Sequence, residues 1–80
     1  MKKIPKFEKR FKEAIEDPIF NLAKELFTEG YTEKDVSDNI KAYPCLPEPR
    51  TLQLRNYMRD IEILWNNRGV SQTRTLKKIT

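Results

Sequence analysis

Eighty residues with sixteen basic and twelve acidic side chains give a net charge of +4, and make one domain near the small end of what folds alone. There is no histidine and only one cysteine, Cys45, which excludes imidazole acid–base chemistry, an internal disulfide and the common zinc sites. No apolar run reaches membrane-spanning length and residues 1–13 lack the apolar centre of a signal peptide, so a cytoplasmic setting without membrane contact is expected.

Two glycines and a wealth of Leu, Ile, Phe, Glu, Lys and Arg predict helices, not sheet. The first helix is expected over residues 5–16. Pro5 would take its first position, and Phe7, Phe11, Ala14 and Ile15 form one apolar stripe. Asp17-Pro18 reads as a boundary, with Asp17 capping a second helix that runs to Thr28. Ile19, Leu22, Ala23 and Leu26 are its buried face, widened by Phe27 and Phe20. Gly30 is the expected stop, since glycine tolerates the left-handed geometry found there.

Thr32 then caps a third helix. The threonine and Asp35, three residues on, have the spacing of a capping box, and Val36 and Ile40 face inward. Pro44, Pro47 and Pro49 stiffen a connector over residues 43–48, pinned to the core by Tyr43 and Leu46. Cys45 there reads as a small buried or half-buried side chain. The longest helix is expected over 49–67, with Leu54, Tyr57, Met58, Ile61, Leu64 and Trp65 on its inner stripe and Gly69 as its stop. Ser71 could open a further short helix with Leu76 and Ile79 inside, or residues 70–80 could be a flexible tail. The fold class is all-α: a small single-domain orthogonal bundle of four to five helices, with a basic arm at residues 1–4. Its core centres on Phe11, Leu22, Leu26, Val36, Leu54, Met58, Ile61 and Trp65.

Charge is unevenly spread. Residues 1–13 carry six basic against two acidic side chains, residues 14–49 three against eight, and residues 50–80 seven against two. Basic ends flanking an acidic middle suit a polyanionic partner, and also suit a chain whose ends attract its middle. The stretch G-Y-T-E-K-D-V-S, continuing to Ile40, resembles the opening of helix-turn-helix DNA-binding proteins. That resemblance implies a second helix in the major groove, with Arg50, Gln53, Arg55, Asn56 and Arg59 offering base and phosphate contacts. Lys2, Lys3, Arg74, Lys77 and Lys78 would dock the ends on phosphates. The proline connector is longer than the three to four residues of a compact motif, so the unit is either an expanded variant or its second helix is not a reader.

A protein partner is the alternative. Leu52 and Ile63 lie eleven positions apart, about three helical turns, on the face opposite the inner stripe. With Arg55, Asn56 and Arg59 between them they would form a contact surface or a self-association seam. A plainer reading packs Leu52 on the connector and Ile63 on the tail. Compact accessory proteins of phages and mobile elements that modulate another protein are of this general type. No nucleophile with a base, phosphate loop or metal spacing is present, so neither an enzyme, a cofactor nor a small-molecule substrate is expected.

Overall fold

The computed structural model describes residues 2–67, which form four helices and no strand: α1 (Phe7–Glu13), α2 (Glu16–Thr28), α3 (Glu33–Ala42) and α4 (Glu48–Asn66). Arg68, Gly69 and the expected tail lie outside the described residues. The protein is all-α. Helix α4 packs along α2 and α3, and α1 lies against α2.

The chain enters through a short clasp. Ile4 is buried in the core, and its backbone N–H donates to Asn39 Oδ1 at 3.1 Å. Asn39 Nδ2 donates in turn to the carbonyls of Lys2 and Asp35, both at 2.8 Å. Residues 2–4, expected as a basic arm, are thereby tied to α3. Pro5 sits in the turn before α1 and not at its first position, because Lys6 takes a left-handed conformation (φ 53°) and α1 begins at Phe7. Phe7 and Phe11 stack at 6.1 Å in the core, as their spacing predicts.

The break between α1 and α2 comes three residues before the expected Asp17-Pro18 boundary. Ala14 and Ile15 are extended, and Ile15 is the N-cap of α2 without a side-chain cap. Asp17 and Pro18 sit inside the first turn of α2. A proline costs nothing there, since the first N–H groups of a helix have no intrahelical acceptor, and acidic side chains favour the positive end of the dipole. The kink turns Ile15 outward to 65% exposure, against the inward position its periodicity suggested.

The corner between α2 and α3 follows its local signals closely. Gly30 (φ 101°) stands one residue past the C-cap. Its N–H donates to Phe27 O at 2.9 Å, and Tyr31 N–H donates to Leu26 O at 3.0 Å, the paired bonds of a Schellman motif. Thr32 and Asp35 then form a reciprocal capping box, with Asp35 N–H donating to Thr32 Oγ1 at 3.2 Å and Thr32 N–H to Asp35 Oδ2 at 3.0 Å.

The connector spans residues 43–47. Leu46 is buried, and the Tyr43 ring lies 6.2 Å from Phe7, so both pin it as expected. Helix α4 begins at Glu48, one residue early, with Pro47 as N-cap. Thr51, Leu54 and Met58 are buried, while Tyr57 and Ile61 are partly covered. Trp65 does not join the core. It is 51% exposed, and its ring meets Phe27 edge-on at 5.6 Å. Leu64 is also exposed. Helix α4 has 19 residues against 13 in α2 and 10 in α3, so its apolar stripe continues past the length of the helices that cover it.

Candidate functional site

Helix α4 sets the geometry of the candidate surface. At 100° per residue, Leu52, Asn56, Arg59 and Ile63 fall within a sector of about 60°, turned away from Thr51, Leu54 and Met58. Their spacing of four, three and four residues is that of a helix–helix seam. Leu52 and Ile63 are about half exposed. Half of the Leu52 surface stays open to solvent, so the connector does not bury it fully. Between the two aliphatic side chains, Arg59 Nη2 donates to Asn56 Oδ1 at 3.2 Å.

The two flanks of this face are held from different sides. On one, Glu62 Oε2 accepts the N–H of Glu33 at 3.0 Å, capping α3, and Arg55 Nε pairs with Glu33 Oε1 at 3.4 Å. On the other, Gln53 Nε2 donates to Tyr57 Oη at 3.1 Å, and the Tyr57 ring stands perpendicular to Phe20 at 5.1 Å. Phe20, expected to widen the core, is therefore a partly exposed side chain that covers Tyr57.

The candidate nucleic-acid contacts do not form one face. Arg55, Asn56 and Arg59 lie on or beside the outer surface of α4. Arg50 turns to α1, its guanidinium 5.2 Å over the Phe11 ring and donating to Phe11 O at 3.3 Å. Gln53 is engaged with Tyr57. Lys2 lies at the α2–α3 corner, donating to Gly30 O at 3.1 Å with its ammonium 5.2 Å from the Tyr31 ring. Lys3 is exposed. Arg74, Lys77 and Lys78 lie outside the described residues. Over Glu48–Asn66 the three arginines are matched by Glu48, Asp60 and Glu62, so α4 itself is electrically neutral. Of the net +5 carried by residues 50–80, +4 comes from Arg68 onward.

Elsewhere, Arg10 joins Glu25 and Glu29 at 3.2 and 3.0 Å, fastening α1 to the last turns of α2. The Glu29 hydrogen bond raises the Arg10 pKa further above its ordinary value. Cys45 is exposed, and not buried or half-buried as expected, because its side chain reaches along the surface to Glu8 of α1 instead of into the core. Its Sγ–H donates to Glu8 Oε2 at 3.1 Å, and Lys12 pairs with the same oxygen at 3.1 Å. The thiol and then Lys12 lower the Glu8 pKa, while the carboxylate raises that of Cys45.

The sequence pointed to Leu52 and Ile63 but not to the carboxylates of Glu33 and Glu62, which fix the flank from 22 to 29 residues away. Among the described residues no group of His, Cys, Asp and Glu is placed to hold a metal ion, and no helix is long and apolar enough to cross a membrane. The chain matches no protein-family model, no curated protein and no solved structure.

Proposed function

We propose that this chain is a small helical protein-interaction module, an orthogonal bundle that works in the cytoplasm and presents the outer face of α4 to a protein partner. The observation that carries the reading is the Leu52–Asn56–Arg59–Ile63 stripe, which faces away from the core and places two half-exposed aliphatic side chains around a polar pair. An apolar centre with a polar surround is the common anatomy of protein contact surfaces, and arginine is enriched in them. A DNA-binding regulator is the second reading, with Arg55, Asn56 and Arg59 as contacts. Its support is the donor chemistry of those three side chains. Against it, α4 is neutral and Arg50 and Arg55 already serve as fastenings to α1 and α3.

Two assays separate the readings. Affinity capture with wild type and with Leu52→Asp/Ile63→Asp should lose a specific protein in the double mutant, while circular dichroism reports an unchanged fold. Fluorescence anisotropy with random duplex DNA should show no binding at moderate salt. Duplex binding that falls steeply with salt and weakens in Arg55→Ala and Arg59→Ala would overturn the module in favour of the DNA reader.

A further inference from the structure

The outer stripe of α4 has an internal symmetry. Leu52 and Ile63 share a midpoint between Tyr57 and Met58, and so do Asn56 and Arg59. Resting on the protein-binding reading above, we infer that the partner of this face is a second copy of the chain, with the two α4 helices antiparallel about a twofold axis at that midpoint. A helix rising about 1.5 Å per residue then sets Leu52 level with the partner's Ile63, and Asn56 level with the partner's Arg59. Each layer occurs twice, as an isologous contact requires.

Charge selects the orientation. A parallel pairing stacks Arg59 on the partner's Arg59, two like charges in one layer of the seam. The antiparallel pairing gives each guanidinium an amide oxygen across the axis, the same acceptor that Arg59 already uses within its own helix at 3.2 Å. The flanking side chains Arg55, Glu62 and Gln53 keep their bonds within the chain, so the seam is carried by the four stripe residues. The stripe from Leu52 to Ile63 is about 16 Å long. Four side chains per copy are fewer than the twenty to thirty per side of a standard stable interface, so the contact is weak and reversible.

Cysteine pairing tests the orientation in a Cys45→Ser background, which removes the exposed native thiol. Leu52→Cys protein mixed with Ile63→Cys protein should cross-link on mild oxidation, while either alone stays largely uncrosslinked. Self-cross-linking of Leu52→Cys alone, or no cross-linking in the mixture, overturns the antiparallel seam. Sedimentation equilibrium tests the chemistry through two fold-neutral surface variants. Asn56→Asp gives each Arg59 a carboxylate across the axis and should tighten association about tenfold, whereas Asn56→Lys should weaken it by a similar factor. Equal behaviour of the two variants overturns the inference. A chain that stays monomeric at about 1 mM also overturns it. If that monomer still loses a captured protein on Leu52→Asp/Ile63→Asp, the module survives with a different partner. If its captures are unchanged, both readings fall.

Discussion

Replacing Asn39 by alanine removes the clasp that holds residues 2–4. Asn39 is almost fully buried, and its amide uses both donors and its oxygen. Each bond contributes a net ~1 kcal/mol, and a buried N–H left without a partner, here that of Ile4, costs about 1–3 kcal/mol. The chain has one escape: residues 2–4 can peel away, trading the orphaned N–H for exposure of Ile4. Full burial of an isoleucine side chain contributes about 1.5–3 kcal/mol, so the escape limits the loss without removing it. The expected cost of Asn39→Ala is therefore about 2–3 kcal/mol, from a total of about 4–12 kcal/mol for a chain of this length. At about 4–8 °C per kcal/mol, thermal unfolding followed by circular dichroism should shift down by about 10–20 °C. Asn39→Asp should be at least as damaging at neutral pH, because its carboxylate would face the carbonyls of Lys2 and Asp35. It should recover part of the loss in acid, where the protonated carboxyl regains a donor. An Asn39→Ala midpoint within about 3 °C of wild type would refute the clasp.

Three further outcomes follow from the same geometry. Met58→Ala, in the centre of the core, should cost about 2–5 kcal/mol, and Trp65→Ala only about 1 kcal/mol, since it loses an edge-on contact with Phe27. Urea denaturation that ranks Trp65→Ala as the costlier change would contradict the placement of the last turn of α4. Gly30→Ala should cost about 1–2 kcal/mol through its backbone, because a Cβ there meets nothing nearer than Lys2 Nζ at 3.6 Å while φ is 101°. A thermal midpoint equal to wild type would exclude the Schellman geometry. The carboxylate of Glu8 disfavours the Cys45 thiolate, so Glu8→Ala should speed alkylation by iodoacetamide near pH 8 by a few-fold, roughly in proportion to the thiolate fraction. The Glu8 pKa is lowered, so its stabilising contribution is present above the ordinary value of 4.5 and is lost as pH falls through the folded value. Equal alkylation rates in wild type and Glu8→Ala would rule out the thiol–carboxylate contact.

What was legible in the sequence was what depends on neighbours. Gly30, Thr32 and Asp35 act on backbone groups within a few residues, and each does what its local chemistry demands. The α1–α2 boundary was misplaced because Asp17-Pro18 is acceptable both at a cap and inside a first turn. The choice is made by the extended Ala14 and Ile15, which carry no punctuation residue. Trp65 continues the periodicity of Leu54 and Met58, but periodicity does not reveal where the covering helices end. Asn39 looks like a poor helix former beside Asp38, and its role depends on Lys2 and Ile4, 35 to 37 residues away. Charge counting found the basic ends. It could not show that Arg50 fastens α1, that Arg55 answers Glu33, or that the acids of α4 cancel its arginines. The Leu52–Ile63 pair was visible as a spacing. The polar pair between them and the shared midpoint needed no tertiary information, yet gain meaning only once the opposite face is known to be filled.

The α4 seam is tested most directly by a dilution series of two-dimensional amide NMR spectra from about 1 mM downward. Resonances of Leu52, Asn56, Arg59 and Ile63 should move together with concentration, while those of Ile4 and Asn39 stay fixed. Spectra that do not change over this range, or shifts that gather on α1 and spare α4, would contradict the seam.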